Sequence, residues 1–452
     1  MAWNNPIYGD RIEAYDKNMS VNPTLSTTFE QRREIERLPQ EQVANHQLRR
    51  LNQLLSEILP HNRFYRQQLS AFDLPIDSLE RFHQFPFTFK DQLLEDVEGT
   101  GFANNLTYPI DQYCRFHRTS GTRGRPLIVL DTTRDWQWWI DTWQFVLDAA
   151  EIGPEDRLVM AFSFGPFIGF WSAFDAVVAR GALACPTGGF STLARIELIR
   201  STKATVIFCT PSYALHMAEV AAEHQIEAAE LPIDRIVVAG EPGGSIPAVR
   251  DRIQTLWNAR VIDHSGASEI GPWGYRDPKG RGIYVNESEF IAEFLSVETG
   301  EPAGEGELSE LVLTTLGRSG SPVIRYRTGD LVRPTWDDDQ PCRFVLLAGG
   351  VLGRTDDMMI IRGVNIFPAS IEQILRSFPE IVEYRMTALK RGSMDELMIE
   401  IEDRLSHPGR VEEELHVRLG LRVKVMTVEM GSLPRFQGKG KRFVDKRLKG
   451  DG

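Results

Sequence analysis

Between about residues 127 and 261, short apolar runs of the chain alternate with longer amphipathic ones. The runs 204–209 and 235–238 contain the Val and Ile side chains typical of buried strands, whereas 213–224 has the spacing of a helix. Helices that alternate with strands in this way build a layered α/β domain around a largely parallel sheet. The sequence therefore predicts an α/β fold, in which ligands bind where the strands end.

Regions with other patterns lie on both sides of this segment. Residues 30–59 are rich in Glu, Gln, Arg and Leu, carry leucines at helical spacing and end at Pro60, which predicts helices. Beyond Arg281, short strand-like runs alternate with acidic, glycine-rich turns, which predicts a small antiparallel β subdomain. The last part of the chain mixes both patterns, which predicts a compact α+β lid.

The length of 452 residues exceeds what one ordinary hydrophobic core holds. We expect a large N-terminal domain over 1–352 and the small lid over 353–452. Within the large domain, we predict a helical region at 1–100, an α/β core at 101–280 and the β subdomain at 281–352.

Charge and cysteine spacing narrow the class of function. The net charge is −12 with a single short basic stretch near the C-terminus, so we expect no nucleic-acid partner and a small polyanion such as ATP or coenzyme A instead. Four distant cysteines without a C-x-x-C pair predict reduced thiols and a cytoplasmic location. No signal peptide or membrane span is expected. The oligomeric state stays open, with a homodimer as one option.

The segment 119–126 reads T-S-G-T-R-G-R-P. Its glycines let backbone N–H groups turn inward and its hydroxyls add donors, which indicates a loop for nucleotide phosphates. The spacing is not the G-x-x-x-x-G-K-[ST] of a P-loop NTPase. Clusters of Gly, Ser and Thr are also common as plain surface turns, so the loop alone leaves both readings open. The candidate phosphate contacts are Thr119, Ser120, Gly121, Thr122 and Gly124.

Further motifs follow in a fixed order. They read G-E-P-G-G at 240–244, D-H-S-G-A-S-E at 263–269, R-Y-R-T-G-D at 325–330, G-R-T-D-D at 353–357 and Gly-Lys at 438–439. This ordered set resembles the acyl-adenylate-forming superfamily and, within it, the phenylacetate-CoA ligase family. The resemblance covers nearly the whole chain. Further family-like strings lie at 62–66, 85–91, 210–213 and 357–368.

The resemblance implies an ATP-dependent acid:CoA ligase that uses ATP, Mg²⁺ and coenzyme A. Such an enzyme activates an aryl or other apolar carboxylic acid as an acyl-adenylate and passes the acyl group to coenzyme A. The same ATP residues would serve an enzyme whose acceptor is a carrier protein, an amine or a cofactor, so the acceptor stays open. A nucleotide-binding scaffold without turnover is disfavoured because the implied catalytic residues occur together.

Individual roles are implied by the same resemblance. Lys439 matches the lysine of the adenylation step, and Glu269 matches the glutamate that holds Mg²⁺. Asp330 matches the aspartate that accepts hydrogen bonds from both ribose hydroxyls, with Arg354 as a second ribose or phosphate contact. Asp356 matches the hinge of the lid. The remaining implied nucleotide-binding positions are Gly240, Glu241, Pro242, Asp263, Ser265, Gly266 and Ser268.

Two implied ligand positions have alternative interpretations. Gly363 matches the glycine beside the coenzyme A tunnel, although a turn that needs a positive φ would also select glycine there. The aromatic run 162–171 falls where the family lines its acyl pocket, although aromatic side chains at this density also form ordinary cores. The candidate acyl-pocket residues are Phe164, Phe167 and Gly169.

The chain departs from the family pattern at three places. Ser265 stands where the family has an aromatic residue over adenine, so another group must contact the base. Tyr284 replaces a zinc-binding histidine of some relatives and Cys342 has no partner cysteine nearby, so we expect no zinc site. Arg125 replaces the lysine that usually ends the phosphate loop, which keeps the charge but changes the donor geometry.

Overall fold

The structure is a computed structural model. It describes residues 25–95, 99, 101–119, 126–162, 165–337, 340–355, 359–361, 364–366, 368–391, 394–419, 423–434 and 442–447. The described helices are α1 (Phe29–Glu36), α2 (Gln40–Ile58), α3 (Arg63–Gln68), α4 (Leu79–Phe82), α5 (Lys90–Leu94), α6 (Thr133–Ala149), α7 (Ile168–Arg180), α8 (Thr192–Thr202), α9 (Pro211–Glu223), α10 (Pro247–Trp257), α11 (Pro368–Arg376) and α12 (Gly409–Leu419).

The described strands up to the lid are β1 (Tyr113–Arg118), β2 (Ile128–Thr132), β3 (Arg157–Met160), β4 (Leu183–Pro186), β5 (Val206–Cys209), β6 (Arg235–Val238), β7 (Arg260–Ala267), β8 (Gly271–Arg276), β9 (Gly282–Val285), β10 (Phe290–Ser296), β11 (Ser309–Thr315), β12 (Tyr326–Val332), β13 (Pro334–Thr335), β14 (Leu346–Ala348) and β15 (Gly353–Arg354). The lid strands are β16 (Met359–Ile361), β17 (Val364–Ile366), β18 (Ile381–Arg391), β19 (Met394–Asp403), β20 (Lys424–Thr427) and β21 (Phe443–Asp445).

The helices expected in the N-terminal region are present. α1 begins with a capping box, in which Thr28 and Gln31 each accept the other's backbone N–H. The leucine spacing of the sequence places Leu51, Leu55 and Ile58 on the buried face of α2. That face packs against apolar side chains of the β10 to β12 region, so this helical region covers the β strands rather than standing alone.

The central sheet confirms the α/β prediction and corrects its strand directions. Its nine strands run in the order β13-β14-β9-β8-β7-β6-β5-β3-β4. Strands β3 to β7 pair in parallel, as expected, but β7, β8, β9, β14 and β13 pair antiparallel. Asp263 is the last residue of β7 that pairs in parallel with β6. The direction of pairing therefore switches inside the 263–269 motif.

Helices cover both faces of the parallel half of this sheet. Leu158 and Met160 of β3 join the cluster that contains α6 and α7, whereas Val159 joins the cluster that contains α8, α9 and α10. Successive residues of a strand face opposite sides of a sheet, so these contacts define helix, sheet and helix layers. The fold class is thus layered α/β.

The segment 281–352, predicted as one small β subdomain, contributes to two sheets. Strands β10, β11, β12 and β15 form a separate antiparallel sheet of four strands. Strands β9, β13 and β14 instead extend the central sheet. The two sheets meet where Glu269, just after β7, contacts Tyr326, the first residue of β12.

The lid is an α+β unit. A long antiparallel hairpin, β18 with β19, is flanked by β20 and β21, which each pair in parallel with a hairpin strand. Ile399, Ile401 and Leu415 lie in its core cluster. Gly353 and Arg354 pair with β12, so the first residues of the predicted lid extend the preceding sheet. The domain boundary at 353 stays a prediction.

In the part of the chain that the structure describes, no helix has both the length and the apolar character needed to cross a membrane. All four cysteines are free thiols.

A buried carboxyl couples the stability of this fold to pH. Glu287 is buried, accepts the backbone N–H of Val345 at 2.6 Å, and has its pKa raised from 4.5 to about 7 by burial, which the Val345 and Gln40 hydrogen bonds offset in part. Because the pKa of Glu287 is higher in the folded state than in the unfolded chain, binding of a proton by its carboxyl stabilises the fold. That stabilisation is complete below pH 4.5 and is lost as the pH rises through 7.

We expect Glu287→Gln to flatten this pH dependence, since the amide keeps an acceptor for Val345 but cannot ionise. Its free energy of unfolding should exceed that of the wild type by on the order of 2 kcal/mol at about pH 8.5 and should differ little at about pH 5. Denaturant unfolding at the two pH values measures this. An equal difference at both would contradict the assignment of the titration to Glu287.

Candidate active site

Glu269 lies in the short turn between β7 and β8, with its side chain buried. Its Oε1 accepts the hydroxyl hydrogen of Tyr326 at 2.9 Å, and the Nζ of Lys90 lies 3.6 Å from the same oxygen. Tyr326 belongs to β12 and Lys90 begins α5. The proposed metal ligand thus stands where both sheets and the N-terminal helical region meet.

The surroundings of Glu269 keep its carboxyl ionised. Burial by itself raises the pKa, but Lys90, a backbone N–H and the Tyr326 hydroxyl together hold the pKa of Glu269 below its ordinary value. Arg354 lowers it further. A buried carboxylate with nearby cations can accept a divalent ion without first losing a proton.

Lys90 is a site residue that the sequence analysis missed. The segment before it is held to β12 by backbone hydrogen bonds, from Thr88 N–H to Arg325 O and from Arg327 N–H to Thr88 O, both at 2.9 Å. The Thr88 hydroxyl also donates to Ile324 O at 2.7 Å. The available signal was the family-like string at 85–91, which indicates similarity but not a role for the lysine.

Asp330 and Arg354, the two candidate contacts to the nucleotide on β12 and β15, lie side by side. They face each other across β12 and β15, and Arg354 donates to Asp330 Oδ1 at 2.9 Å and to Thr328 O at 3.1 Å. Gly329 has a φ of 74°, and a Cβ there would lie 3.0 Å from the Arg354 guanidinium. Glycine is therefore required between Thr328 and Asp330.

The 240–244 and 263–269 motifs are in direct contact. The Ser245 hydroxyl donates to the buried carboxyl of Asp263, and a Cβ on Gly244 would lie 2.5 Å from the Asp263 Cγ. Burial raises the pKa of Asp263 to about 6, although the Ser245 hydroxyl and nearby N–H groups oppose the shift. Close approach of the glycine backbone is thus what lets the two motifs pack together.

His264 has a structural environment. Its Nδ1 lies 2.7 Å from Gly274 O, and its ring packs against Trp143 with centroids 4.3 Å apart. Burial lowers the pKa of His264 to about 4, with the Gly274 contact opposing the shift, so the imidazole is neutral at pH 7. Ser265 follows on β7 with a half-buried side chain, and Gly266 and Ser268 continue into the Glu269 turn.

Glu241 joins its own motif to α9. Its Oε1 accepts the backbone N–H of Ser212, in the first turn of that helix, at 2.7 Å. A carboxylate at a helix N-terminus is favoured by the helix dipole. Gly240 and Pro242, which flank Glu241, lie at the carboxyl end of β6.

The ends of the phosphate loop are joined by two hydrogen bonds. Thr119 N–H donates to Leu127 O at 2.9 Å, and Leu127 N–H donates to the Thr119 hydroxyl at 3.0 Å. In β2, which follows the loop, Asp131 accepts a hydrogen bond from Arg318 at 2.8 Å, and both of these side chains are fully buried. Arg318 also donates to Ser268 O at 2.9 Å. This ion pair, which the sequence analysis also missed, ties β2 to the Glu269 turn.

Several predicted site residues fall outside the described residues. They are Ser120, Gly121, Thr122 and Gly124 of the phosphate loop, Phe164 of the acyl segment, the hinge Asp356, Gly363 and Lys439.

Comparison with known proteins settles the family. The chain is 31% identical over 421 residues to phenylacetate-coenzyme A ligase of Escherichia coli, with 89% of this chain and 94% of that protein covered. To the Thermus thermophilus phenylacetate-coenzyme A ligase it is 30% identical over 445 residues, with 92% and 99% covered. The chain belongs to the phenylacetate-coenzyme A ligase family. Residues 363–447 also match the AMP-binding enzyme C-terminal domain.

Solved structures agree with this membership. The crystal structure of 2-hydroxyisobutyryl-CoA ligase in the postadenylation state with 2-HIB-AMP has a TM-score of 0.85 at 26% identity, covering 96% of this chain and 95% of that one. The same ligase in the thioesterification state with coenzyme A has a TM-score of 0.70 at the same coverage. The chain is an ATP-dependent acid:CoA ligase that acts through an acyl-adenylate.

The segment that the family uses for its acyl group is partly aromatic core and partly exposed. Phe162 stacks on Phe170 with ring centroids 4.2 Å apart, and Phe167, which is 37% exposed, meets the edge of Phe170. Apart from the chain neighbours of Gly169 and the backbone of its own helix, no atom of the described residues lies within 4 Å of a Cβ built on it. A cavity of about 460 Å³ begins beside Gly165 and Trp171, but Phe167 and Gly169 do not line it.

Tyr284 and Cys342, at the positions where some relatives have zinc ligands, contact other side chains. The Tyr284 hydroxyl donates to Asp277 at 3.0 Å, and Cys342 Sγ lies 3.7 Å from the Tyr275 hydroxyl, which donates to Glu36 at 2.6 Å. Among the described residues, no group of three or more His, Cys, Asp or Glu side chains is placed to hold a metal ion.

Proposed function

We propose that this ligase activates an aryl or other apolar monocarboxylic acid with ATP and transfers the acyl group to coenzyme A. The observation that carries the proposal is the convergence on Glu269 of motifs far apart in the chain. Lys90, Tyr326 and Arg354 surround or influence its carboxylate. The relatives named for phenylacetate supply the substrate class.

Glu269 is the proposed ligand of Mg²⁺. Magnesium is usually held by one or two carboxylates together with substrate phosphates, so a single ionised glutamate fits the ion. When bound, the ion supplies neutralisation of charge on the phosphate oxygens. Lys90, with 38% of its side chain exposed, offers a further cation beside the same phosphates.

The nucleoside is held by the neighbouring pair. Asp330 offers two acceptor oxygens and no donor, which suits the two ribose hydroxyls. Arg354 orients that carboxylate through its hydrogen bond to Oδ1. The backbone of 240–244 and the half-buried Ser265 take the adenine contacts, because the usual aromatic residue is absent.

Two displacements complete the proposed reaction. An oxygen of the acid attacks the α-phosphorus of ATP, the bond to pyrophosphate breaks, and the acyl-adenylate forms. The sulfur of coenzyme A then attacks the acyl carbon, the bond to AMP breaks, and the thiol proton is released. Lys439 acts in the first step, since a mobile ammonium can follow oxygens of both reactants.

Two further proposals concern the whole chain. The domain boundary at 353, next to the hinge Asp356, separates the nucleotide-binding domain from the lid. The four free cysteines favour a cytoplasmic location, where thiols stay reduced.

The proposal is tested by a panel of aryl, aliphatic and hydroxylated acids, with pyrophosphate release followed with and without coenzyme A. An aryl acid that supports ATP-dependent pyrophosphate release and a coenzyme A thioester is the expected result. Adenylation without a thioester would favour a carrier protein, an amine or a cofactor as the acceptor. No pyrophosphate release with any acid would overturn the proposal.

A substitution at Gly363 separates the coenzyme A path from adenylation. A side chain there would obstruct a narrow tunnel, so we expect Gly363→Leu to keep acid-dependent pyrophosphate release but to lose thioester formation by about tenfold or more. Both half-reactions and the melting temperature are measured together. Equal loss of both half-reactions with a lower melting temperature would instead indicate a turn that requires glycine.

A further inference from the structure

This structure is more similar to one catalytic state of a related ligase than to another. Two structures of 2-hydroxyisobutyryl-CoA ligase cover the same 96% of this chain, but the postadenylation state has a TM-score of 0.85 and the thioesterification state 0.70. Because both are structures of one protein at equal coverage, the higher score means that this structure as a whole is more similar to the postadenylation state. We therefore assign contacts between the lid and the large domain here to the postadenylation orientation.

Arg442 makes such a contact. Its Nε and Nη2 donate to the two carboxylate oxygens of Glu383, in the lid, at 2.6 and 3.0 Å. Its Nη1 lies 3.8 Å from Oε2 of Glu241, in the large domain. The other oxygen of Glu241 accepts the Ser212 N–H, so the carboxylate is held in place to face the lid. One guanidinium thus bridges two carboxylates across the domain boundary.

The bridge is shielded from water. The side chains of Arg442 and Glu241 are 8% and 10% exposed, and that of Glu383 is 5% exposed. Buried charges are tolerated when they are paired, so separation of the domains must rehydrate Glu241 and Arg442. A small cavity beside the bridge has room for about one water, with about 20 Å³ of space. Its polar lining includes Ser212, His216, Glu219, Arg252 and Arg376.

The position of Arg442 in the chain links the bridge to the adenylation lysine. Arg442 immediately precedes β21, and its carbonyl accepts the N–H of Met386 of β18 at 2.8 Å. Lys439 lies three residues earlier in the sequence. A change at Arg442 is therefore expected to affect the step assigned to Lys439.

We propose that Arg442 is a positioning residue that holds the lid in the orientation of the first half-reaction by joining Glu383 to Glu241. This inference rests on the proposed function, because it assigns Arg442 to one of its two half-reactions. The bridge must break before coenzyme A can attack. Arg442 therefore supports adenylation selectively and is dispensable for thioester formation.

The test compares Arg442→Gln with a matched variant, Arg385→Gln. Arg385 forms a bidentate pair with Glu400 within the lid and is 42% exposed, so its substitution removes an ion pair that lies inside the lid. We expect Arg442→Gln to lower pyrophosphate release about tenfold or more while thioester formation from supplied acyl-adenylate is kept or accelerated. Arg385→Gln should change neither rate.

A measurement without substrates keeps this proposal separate from the proposed function. The X-ray scattering profile of Arg442→Gln should shift toward a displaced lid, and that of Arg385→Gln should match the wild type. If the wild type turned over no acid, the proposed function would be wrong. The scattering comparison would still test whether Arg442 holds the lid against the large domain. Unchanged scattering for a folded Arg442→Gln, or equal loss of both half-reactions, overturns the bridge.

Glu241→Gln provides a second route if Arg442→Gln does not fold. The amide keeps an acceptor for the Ser212 N–H but removes the charge that faces Arg442. Pyrophosphate release is measured for Glu241→Gln, for Arg442→Lys and for the double variant that combines them. Because both substitutions remove the same interaction, we expect the double variant to lose less pyrophosphate release than the product of the two single losses. Multiplying losses would mean that the two residues act independently and would overturn the proposal.

Discussion

Lys439→Ala is expected to lower acid-dependent pyrophosphate release about a hundredfold or more. In the proposed reaction, the ammonium neutralises charge on the carboxylate and the α-phosphate as they approach, and no other step needs it. Thioester formation from supplied acyl-adenylate and coenzyme A should therefore stay largely intact. The two half-reactions are measured separately, by pyrophosphate release and by appearance of the thioester.

Lys446→Ala is the matched control for this prediction. Lys446 is an exposed lysine of the same basic stretch, and its backbone N–H donates to Ala388 O at 2.9 Å, so a change of its side chain leaves this bond in place. We expect both half-reactions to stay near the wild-type rate. Near-normal pyrophosphate release by Lys439→Ala would refute the role of Lys439, and an equal effect of both variants would indicate a general effect of charge.

Glu269→Gln is expected to have the second largest effect. The amide keeps an acceptor for the Tyr326 hydroxyl but removes the negative charge that Mg²⁺ requires. Pyrophosphate release should fall about a hundredfold or more, and the Mg²⁺ concentration for half-maximal rate should rise. Titration of the rate with Mg²⁺ measures both changes.

Tyr326→Phe provides the graded comparison. It removes the 2.9 Å hydrogen bond to Glu269 but leaves the carboxylate. A single hydrogen bond to a charged group contributes about 2 kcal/mol, so a loss well below that of Glu269→Gln is expected. A wild-type rate at wild-type Mg²⁺ for Glu269→Gln would remove this residue from the metal site.

Stoichiometric zinc in the purified protein would contradict the expectation that no zinc is bound.

The sequence predicted the parallel half of the central sheet but not the antiparallel half. Strands β3 to β7 are linked through helices, and this alternation is visible in the apolar pattern. Between β7 and β8 only three residues intervene, and a connection so short can join antiparallel strands but not parallel ones. The string at 263–269 is predicted as a ligand motif at the end of a strand, and the structure shows that it also leads into the turn between two antiparallel strands.

The candidate site was predictable where residues match family strings. Asp330 and Arg354 match two neighbouring family strings, and they pair across β12 and β15. Lys90 and the Asp131–Arg318 pair could not be found in the same way. Asp131 and Arg318 are 187 residues apart, and local periodicity carries no information on which distant side chains meet.

The attachment of Thr88 to β12 limits which segments of this enzyme can be replaced by those of a relative in a chimera. The chain before the phosphate loop is fastened along the same strand that carries Tyr326, and it delivers Lys90 to the Glu269 carboxylate. In a chimera with a crossover near residue 100, the segment that contains Lys90 would come from one parent and strand β12 from the other. Each piece would nevertheless contain its own sequence motifs intact. Crossovers that keep 85–91 and 324–330 from one parent are the ones that preserve the site.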